Sequence, residues 1–429
     1  MLQGDILHLG EALGEFDYII AHGVYSWIPD VVREALLALC KNRLRPNGIA
    51  YISYNTNPGW RMRGMLRDML LFHVRRIKDP LARLNSARTF IDLLAKTLPR
   101  QNSTQAQYLL EEARYLQTAH PSYVYHEFLE ENNNPEMFTE FVARAERHGL
   151  NYLCESHLAT MFASALGPET EDFLDAYTEM AEHEQYLDFL LQRTFRQTLL
   201  CHAELEPDYD IDLGLLDQFA CHAQLIPPAR LELKNSKTQK FTTHAGKSFS
   251  VSDPLLKIML RQVCDSYPSA IAIPELVAQA RQQLQESLKG KTITDQNAWR
   301  GELFNLFVNQ GVQLALEPAH VDKQIDNTPC VNPLVRIQAR EGNNLASVWH
   351  EIVYTDAFSQ RLIGYLDGTR DFNSLCAQML QDVRSGELQV PGLKLQGLAE
   401  KQLAAQIAGN IKRLLELFAR NGLLHHAVP

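Results

Sequence analysis

The sequence has 429 residues, 45% of them hydrophobic and 21% charged, with a formal net charge of −10. This length exceeds what one ordinary core organises and implies about three domains, and the composition excludes a disordered chain. The negative balance disfavours nucleic acid as a general partner, and no run approaches the roughly 18 apolar residues of a membrane span.

Met1-Leu2-Gln3-Gly4-Asp5 lacks the basic start of a secretory signal, so a cytoplasmic location is expected. The seven cysteines are scattered without C-x-x-C spacing, which argues against a disulfide scaffold or zinc ribbon. Cys201-His202 and Cys221-His222 repeat as a pair, but neighbours in a strand point to opposite faces, so ordinary buried thiols are expected and no metal site.

In chain order, Gly4-Asp5-Ile6 precedes the apolar run Phe16 to His22, which reads as a strand buried on both faces. Asp30 stands where a helix cap belongs, and Val31, Val32, Ala35, Leu36, Leu39 and Cys40 repeat on one helical face. Pro46-Asn47-Gly48 marks a turn, and Ile49 to Tyr54 a second strand. A crossover of this length predicts two parallel strands with His22 and Asn55 at the same sheet edge, where open α/β sheets bind ligands.

The order Gly-Asp-Ile, Phe-Asp-Tyr-Ile-Ile and Leu-Arg-Pro-Asn-Gly resembles class I S-adenosylmethionine-dependent methyltransferases from just after their third strand. His22 to Ile28, Tyr54 to Trp60, Tyr123 to Leu129 and Phe141 to Leu150 resemble bacterial members that carry a methyltransferase regulatory domain, among them rickettsial-type protein-lysine methyltransferases. The resemblance covers roughly the first half of the chain. It implies S-adenosylmethionine as cofactor, with the Asp5 carboxylate beside the adenine amino group, the Ile6 backbone near the ring, and Ala21 and His22 at the methionine end. It also implies Tyr25 and Trp27 toward the acceptor, and Tyr54 joins them as a candidate aromatic wall. Other readings stay open: Asp5 as a turn residue, His22 as a solvent-facing strand end, Tyr25 and Trp27 as packing, and Tyr54 as core. No catalytic residue is assigned.

The family's glycine-rich cofactor loop has no counterpart, because no G-x-G-x-G occurs in the sequence, and neither has the ribose-binding acid. The expectation is therefore a partial Rossmann-like methyltransferase sheet lacking its first strands, in an amino-terminally truncated chain from a late start or a disrupted gene. Such a chain is expected to bind cofactor weakly or not at all and to be inactive, with the Phe16 to His22 strand as an open edge.

Beyond Trp60 the pattern turns helical to about residue 118 as an insertion. The basic stretch Arg61 to Lys78 and a second from Arg230 to Arg261 read as solvated faces. Asn134-Pro135-Glu136 opens a helix through Phe138, Phe141, Val142 and Ala145, ended by Gly149. Leu150 to Cys154 reads as a strand, Phe173 to Leu191 as a helix, and Phe195 to Cys201 as the last strand. The predicted domains are 1–60 for the back half of the methyltransferase core, 61–120 for the insertion, and 121–205 for the regulatory region and closing strands.

The remainder echoes itself: Leu303 to Val312 lines up with Leu414 to Leu423, each a helix stopped by glycine before a strand. Helices opened by Asp253 and Asp356, and others near Glu275 and Asn373, complete two tandem winged-helix-like units, 230–320 and 321–429, in a mainly α carboxy-terminal half. The candidate groove-reading helix Asp371 to Val383 has no Lys or Arg, so these units are expected to bind a polypeptide and not DNA. The leading functional expectation is methyl transfer to a protein lysine. The alternative is a non-enzymatic interaction module derived from a methyltransferase.

Overall fold

The computed structural model describes residues 3–9, 13–163, 166–244, 246–288, 298–318, 321, 325–388 and 400–425, in two compact units, Met1–Asp210 and Ile211–Pro429. In the first unit, strands β1 (Phe16–Ala21), β2 (Leu44–Asn55), β3 (Leu150–Glu155) and β4 (Phe195–His202) form one sheet in the order β1-β2-β4-β3. β1 and β2 run parallel, joined by helix α1 (Asp30–Arg43), while β4 is antiparallel to both neighbours. Ala50, Ile52 and Tyr54 of β2 share a core with Leu36, Leu37 and Cys40 of α1.

The opposite face of β1 is open: Tyr18 is 69% and Ile20 71% exposed, and their register partners on β2 are Ile49 and Tyr51. The run expected to be buried on both faces is therefore covered on one face only.

Helices α2 (Gly59–Val74), α3 (Pro80–Thr97), α4 (Thr104–Thr118) and α5 (Pro121–Leu129) build a separate core from Leu66, Leu70, Ile91, Ala113, Leu116, Val124 and Phe128. Helix α6 (Phe138–Arg147) returns to the sheet and adds Phe138, Phe141, Val142 and Ala145 to its core. Two of the basic residues read as solvated are structural. Arg67 donates to the carbonyls of Glu130 and Glu131, and Arg63 pairs with Glu112 and donates to the Tyr123 hydroxyl. Gly59 is required where α2 begins, because an added Cβ would stand 2.3 Å from the Gln192 carbonyl oxygen.

Three further local readings are corrected. Pro46-Asn47-Gly48 lies within β2, where the register jumps from Phe16 opposite Leu44 to Tyr18 opposite Ile49, so residues 45–48 bulge from the ladder. Asp30 is the first helical residue and not the cap of α1; it pairs with Arg33, which shares the buried face with Leu36, Leu37 and Cys40 while Val31 is exposed. The expected helix Phe173 to Leu191 is two helices, α7 (Pro168–Leu174) and α8 (Met180–Leu191).

In the second unit, a first core gathers helices α9 (Pro254–Ser266), α10 (Ile273–Leu288) and α11 (Ala298–Val308). The accompanying strands are β5 (Ala220–His222), β6 (Leu225–Ile226), β7 (Gln239–Thr243), β8 (Ser248–Val251), β9 (Ile271–Ala272) and β10 (Gln313–Ala315), in sheets ordered β10-β5-β9 and β6-β7-β8. This core reaches back to Leu216, ahead of the expected boundary at 230. Lys257, from the second basic stretch, is fully buried and donates to the carbonyls of Glu232 and Lys237.

A second core follows, with β11 (Cys330–Val331), α12 (Pro333–Glu341), β12 (Asn344–Ala346), β13 (Ile352–Tyr354), α13 (Ala357–Tyr365), α14 (Phe372–Ser385), α15 (Glu400–Arg420) and β14 (Leu424–His425). Asp253, Asp356 and Asp371 each accept the backbone N–H three residues on, as helix caps do.

The two echoed helix endings differ in register. The left-handed residue is Gln310 after α11 but Gly422 after α15, one position later in the alignment. One residue of a helix is about 100° of rotation, so the buried sets differ. Phe418 is fully buried whereas its counterpart Phe307 only packs against the rim of its core.

Candidate functional site

The strand ends of β1 and β2 come together as the crossover requires. Gly23, at φ 67°, lets the chain leave β1 and donate its N–H to Ser53 Oγ at 2.8 Å. The same hydroxyl lies 3.1 Å from His22 Nδ1, which is also 3.0 Å from the Tyr51 hydroxyl. Ser26 Oγ accepts the Asn55 N–H at 2.8 Å, so one serine from each strand end ties the loops together.

A second pair of segments closes on this edge. Thr56 and Glu136 form a parallel bridge, with Asn57 N–H and Thr56 Oγ1 both donating to the Glu136 carbonyl at 3.0 Å. Asn57 Nδ2 donates to the Pro135 carbonyl, Asn55 Nδ2 to Asn133 Oδ1, and the Asn134 N–H to the Ser26 carbonyl. Two Asn-x-Asn-Pro and Asn-Asn-Pro-Glu segments, distant in sequence, thus share one rim.

Arg33 holds this rim from below. Only 2% exposed, it donates to the Tyr25 carbonyl at 2.9 Å and the Asn134 carbonyl at 2.5 Å, and its guanidinium sits 4.7 Å from the Tyr25 ring centroid. The buried Glu136 carboxylate faces Arg33 at 3.6 Å and Arg144 at 3.3 Å. Burial raises the Glu136 carboxyl above its ordinary range while the Tyr25 hydroxyl and both guanidiniums pull it down.

The sequence-derived residues fall in different surroundings. Asp5 accepts the Leu7 N–H at 3.0 Å and caps a short 3-10 turn, Ile6–His8, leaving most of its carboxylate exposed; Ile6 packs partly against the core. Ala21 is buried and His22 exposed. Tyr25 is 0% and Tyr54 1% exposed, with ring centroids 5.7 Å apart and both against Phe141. Both are core residues rather than a solvent-facing wall, because each ring stands on the covered side of β2. Burial, with Glu136 beside it, pushes the Tyr25 hydroxyl far above its usual range, and burial does the same for Tyr54.

Trp27 alone of the three aromatic candidates is part-exposed, and His126 of α5 lies against it, ring centroids 4.3 Å apart. Ser26, Arg33, Ser53, Asn133, Glu136 and His126 carry no individual mark in the sequence. The doubled Asn-Pro motif was the available signal for two of them; nothing local marks a helical arginine as buried. Among the described residues no cluster of His, Cys, Asp or Glu could hold a metal ion, and no helix is long and apolar enough to cross a membrane.

Residues 120–202 match the family description "Predicted methyltransferase regulatory domain", and residues 327–423 match "PKMT, C-terminal winged helix domain". The chain is 29% identical over 432 residues to the uncharacterized protein RP789 of Rickettsia prowazekii (strain Madrid E), covering 98% of this chain and 76% of that protein. It is 39% identical over 142 residues to RP028 of the same organism, covering 33% of this chain and 57% of that protein. The structure of PKMT2 from Rickettsia typhi is similar with a TM-score of 0.84 at 26% identity, covering 98% of this chain and 83% of that one. Its complex with AdoHcy gives 0.83 at 27% identity with the same coverage. The chain thus carries one segment that matches this regulatory domain and another that matches the PKMT winged-helix domain, on a fold similar along nearly its whole length to that of R. typhi PKMT2.

Proposed function

We propose that the chain serves methyl transfer from S-adenosylmethionine to an amine of a polypeptide, a lysine side chain, with the sheet edge at His22 and Asn55 as the reaction site. The observation that carries this reading is the likeness, over 98% of the chain, to R. typhi PKMT2, which is known in complex with AdoHcy. The rim geometry supports it, since a methyl transfer needs little besides alignment in a sheltered cleft.

The residues present fit part of the cofactor. The exposed carboxylate of Asp5 suits the adenine amino group, and the Ala21–His22 strand end suits the methionine end. When bound, the cofactor would supply an electrophilic methyl group; the chain's own residues orient the acceptor and take up its proton. Trp27 is the aromatic residue assigned to the acceptor, and Tyr25 and Tyr54 act by supporting the rim from the core.

A second reading is favoured by the missing glycine-rich loop in the sequence: an interaction module that binds polypeptide without transferring methyl groups. Losing several charge-assisted hydrogen bonds at about 1.5–3 kcal/mol each costs decades of cofactor affinity. Calorimetric titration of S-adenosylhomocysteine against this chain and against an upstream-extended version separates the readings. Weak or no binding by the chain with micromolar binding by the longer form supports methyl transfer by the longer form. No binding by either supports the interaction module, and micromolar binding by the chain alone refutes the need for the missing loop.

A further inference from the structure

We propose that His126 is the residue of the regulatory segment that meets the acceptor amine, receiving the proton a lysine ammonium must lose before its nitrogen can be methylated. This rests on the amine-acceptor reading above and names a residue of that same site. Four contacts bring the regulatory segment to the strand ends: the Thr56–Glu136 bridge, Asn57 on the Pro135 carbonyl, Asn55 on Asn133, and the Trp27–His126 ring pair. The segment is part of the wall of the site and not an appendage to it.

Of the two histidines at this rim, His22 has its Nδ1 shared between Tyr51 and Ser53. His126 is exposed, and among the described residues neither of its ring nitrogens has a hydrogen-bond partner. Its ring is held at 4.3 Å and 38° to Trp27, so its position is set while its nitrogens stay open to a ligand. The charged group facing it on its own helix is Glu127, half-buried with its carboxyl raised by burial; Arg63 of α2 acts on Glu127 from the neighbouring helix. Trp27, on the element packed against His126, carries no charge.

The chemistry balances. The ammonium gives one proton to a ring nitrogen of His126, leaving a neutral amine and an imidazolium. The amine lone pair then forms the N–C bond as the S–C bond of a sulfonium donor breaks, and the sulfur keeps that electron pair as a neutral thioether. An imidazole is suited to the first step because its neutral ring offers a nitrogen lone pair that can take up a proton. Once charged, it repels a lysine that is still protonated.

The test uses the full chain, His126→Gln and Trp27→Ala, with two fluorescein-labelled peptides that differ only in carrying lysine or ε-acetyl-lysine. Anisotropy is read from pH 5.5 to 8.5, alongside thermal melting of each protein. Wild type is expected to prefer the lysine peptide and to bind it about tenfold more tightly at pH 8 than at pH 5.5, the size of one like-charge contact near a surface. His126→Gln should melt like wild type and lose that pH dependence, while Trp27→Ala should weaken binding and retain it. A His126→Gln protein with the wild-type pH dependence overturns the role of His126. Wild type that binds both peptides equally, or neither, overturns the amine-acceptor reading itself.

Discussion

Arg196 and Asp188 meet as a two-bonded pair, Nε to Oδ2 and Nη2 to Oδ1 each at 2.9 Å, with both side chains excluded from solvent. Glu155 at 2.7 Å and Glu184 at 3.0 Å complete the arginine's partners, and the Phe138 ring lies 3.7 Å from its guanidinium carbon. This network joins β3, β4 and α8 beneath the candidate site. Removing the cation strands buried carboxylates, which costs about 3–5 kcal/mol. Arg196→Met should lower the denaturant midpoint of the first unit accordingly, and a variant as stable as wild type would show that the network is dispensable.

The open face of β1 makes self-association the expected weakness of the isolated chain, because exposed apolar side chains beside a strand edge left unpaired among the described residues recruit further strands. Replacing Tyr18 and Ile20 together by Lys should reduce light scattering and shift the gel-filtration profile toward monomer without changing the melting temperature. Unchanged association would place the sticky surface elsewhere.

His222 stacks on Trp349 at 3.7 Å and 10°, and burial pushes its pKa down from 6.5 to about 4. The folded ring stays neutral while the unfolded one takes a proton below about pH 6.5, so stability of the second unit falls as pH drops from 6.5 to about 4. On linkage the loss reaches about 3 kcal/mol. Guanidinium unfolding at pH 7 and pH 4.5 should show this decline in wild type and a smaller one in His222→Phe, which keeps the stack and cannot titrate. Equal slopes would remove His222 as the cause.

Phe418 and Phe307 occupy equivalent places in the sequence echo, and the one-residue shift between Gln310 and Gly422 makes them unequal in the fold. Phe418→Ala should cost about 3–5 kcal/mol and Phe307→Ala clearly less. Equal losses in chemical unfolding would contradict the rotated register.

Residues 211–429, which hold both cores of the second unit, should express as a folded fragment and leave duplex DNA unshifted at moderate salt. Helix α14 carries a single basic residue, Arg384 near its end, which is too little to neutralise phosphates. Tight, salt-sensitive DNA binding would turn the assignment toward a nucleic-acid regulator.

The sequence by itself determined the parallel β1–α1–β2 unit, the helical stretch after Trp60, the strand pair closing the sheet and the capped helices of the second unit. Periodicity and local hydrogen bonding act over a few residues, so Asp253, Asp356 and Asp371 are legible as helix openings from the residues around them alone. Only the tertiary structure decided which aromatic rings face solvent: Tyr25 and Tyr54 pack into the core against Phe141, while Trp27, two residues after Tyr25, stays part-exposed beside His126. It also decided that Arg33, Arg67, Arg196 and Lys257 are buried. A long cationic side chain is withdrawn from water only when distant carbonyls and carboxylates converge on it, and those partners, Asn134, Glu130, Glu155 and Lys237 among them, lie 20 or more residues away or across the sheet.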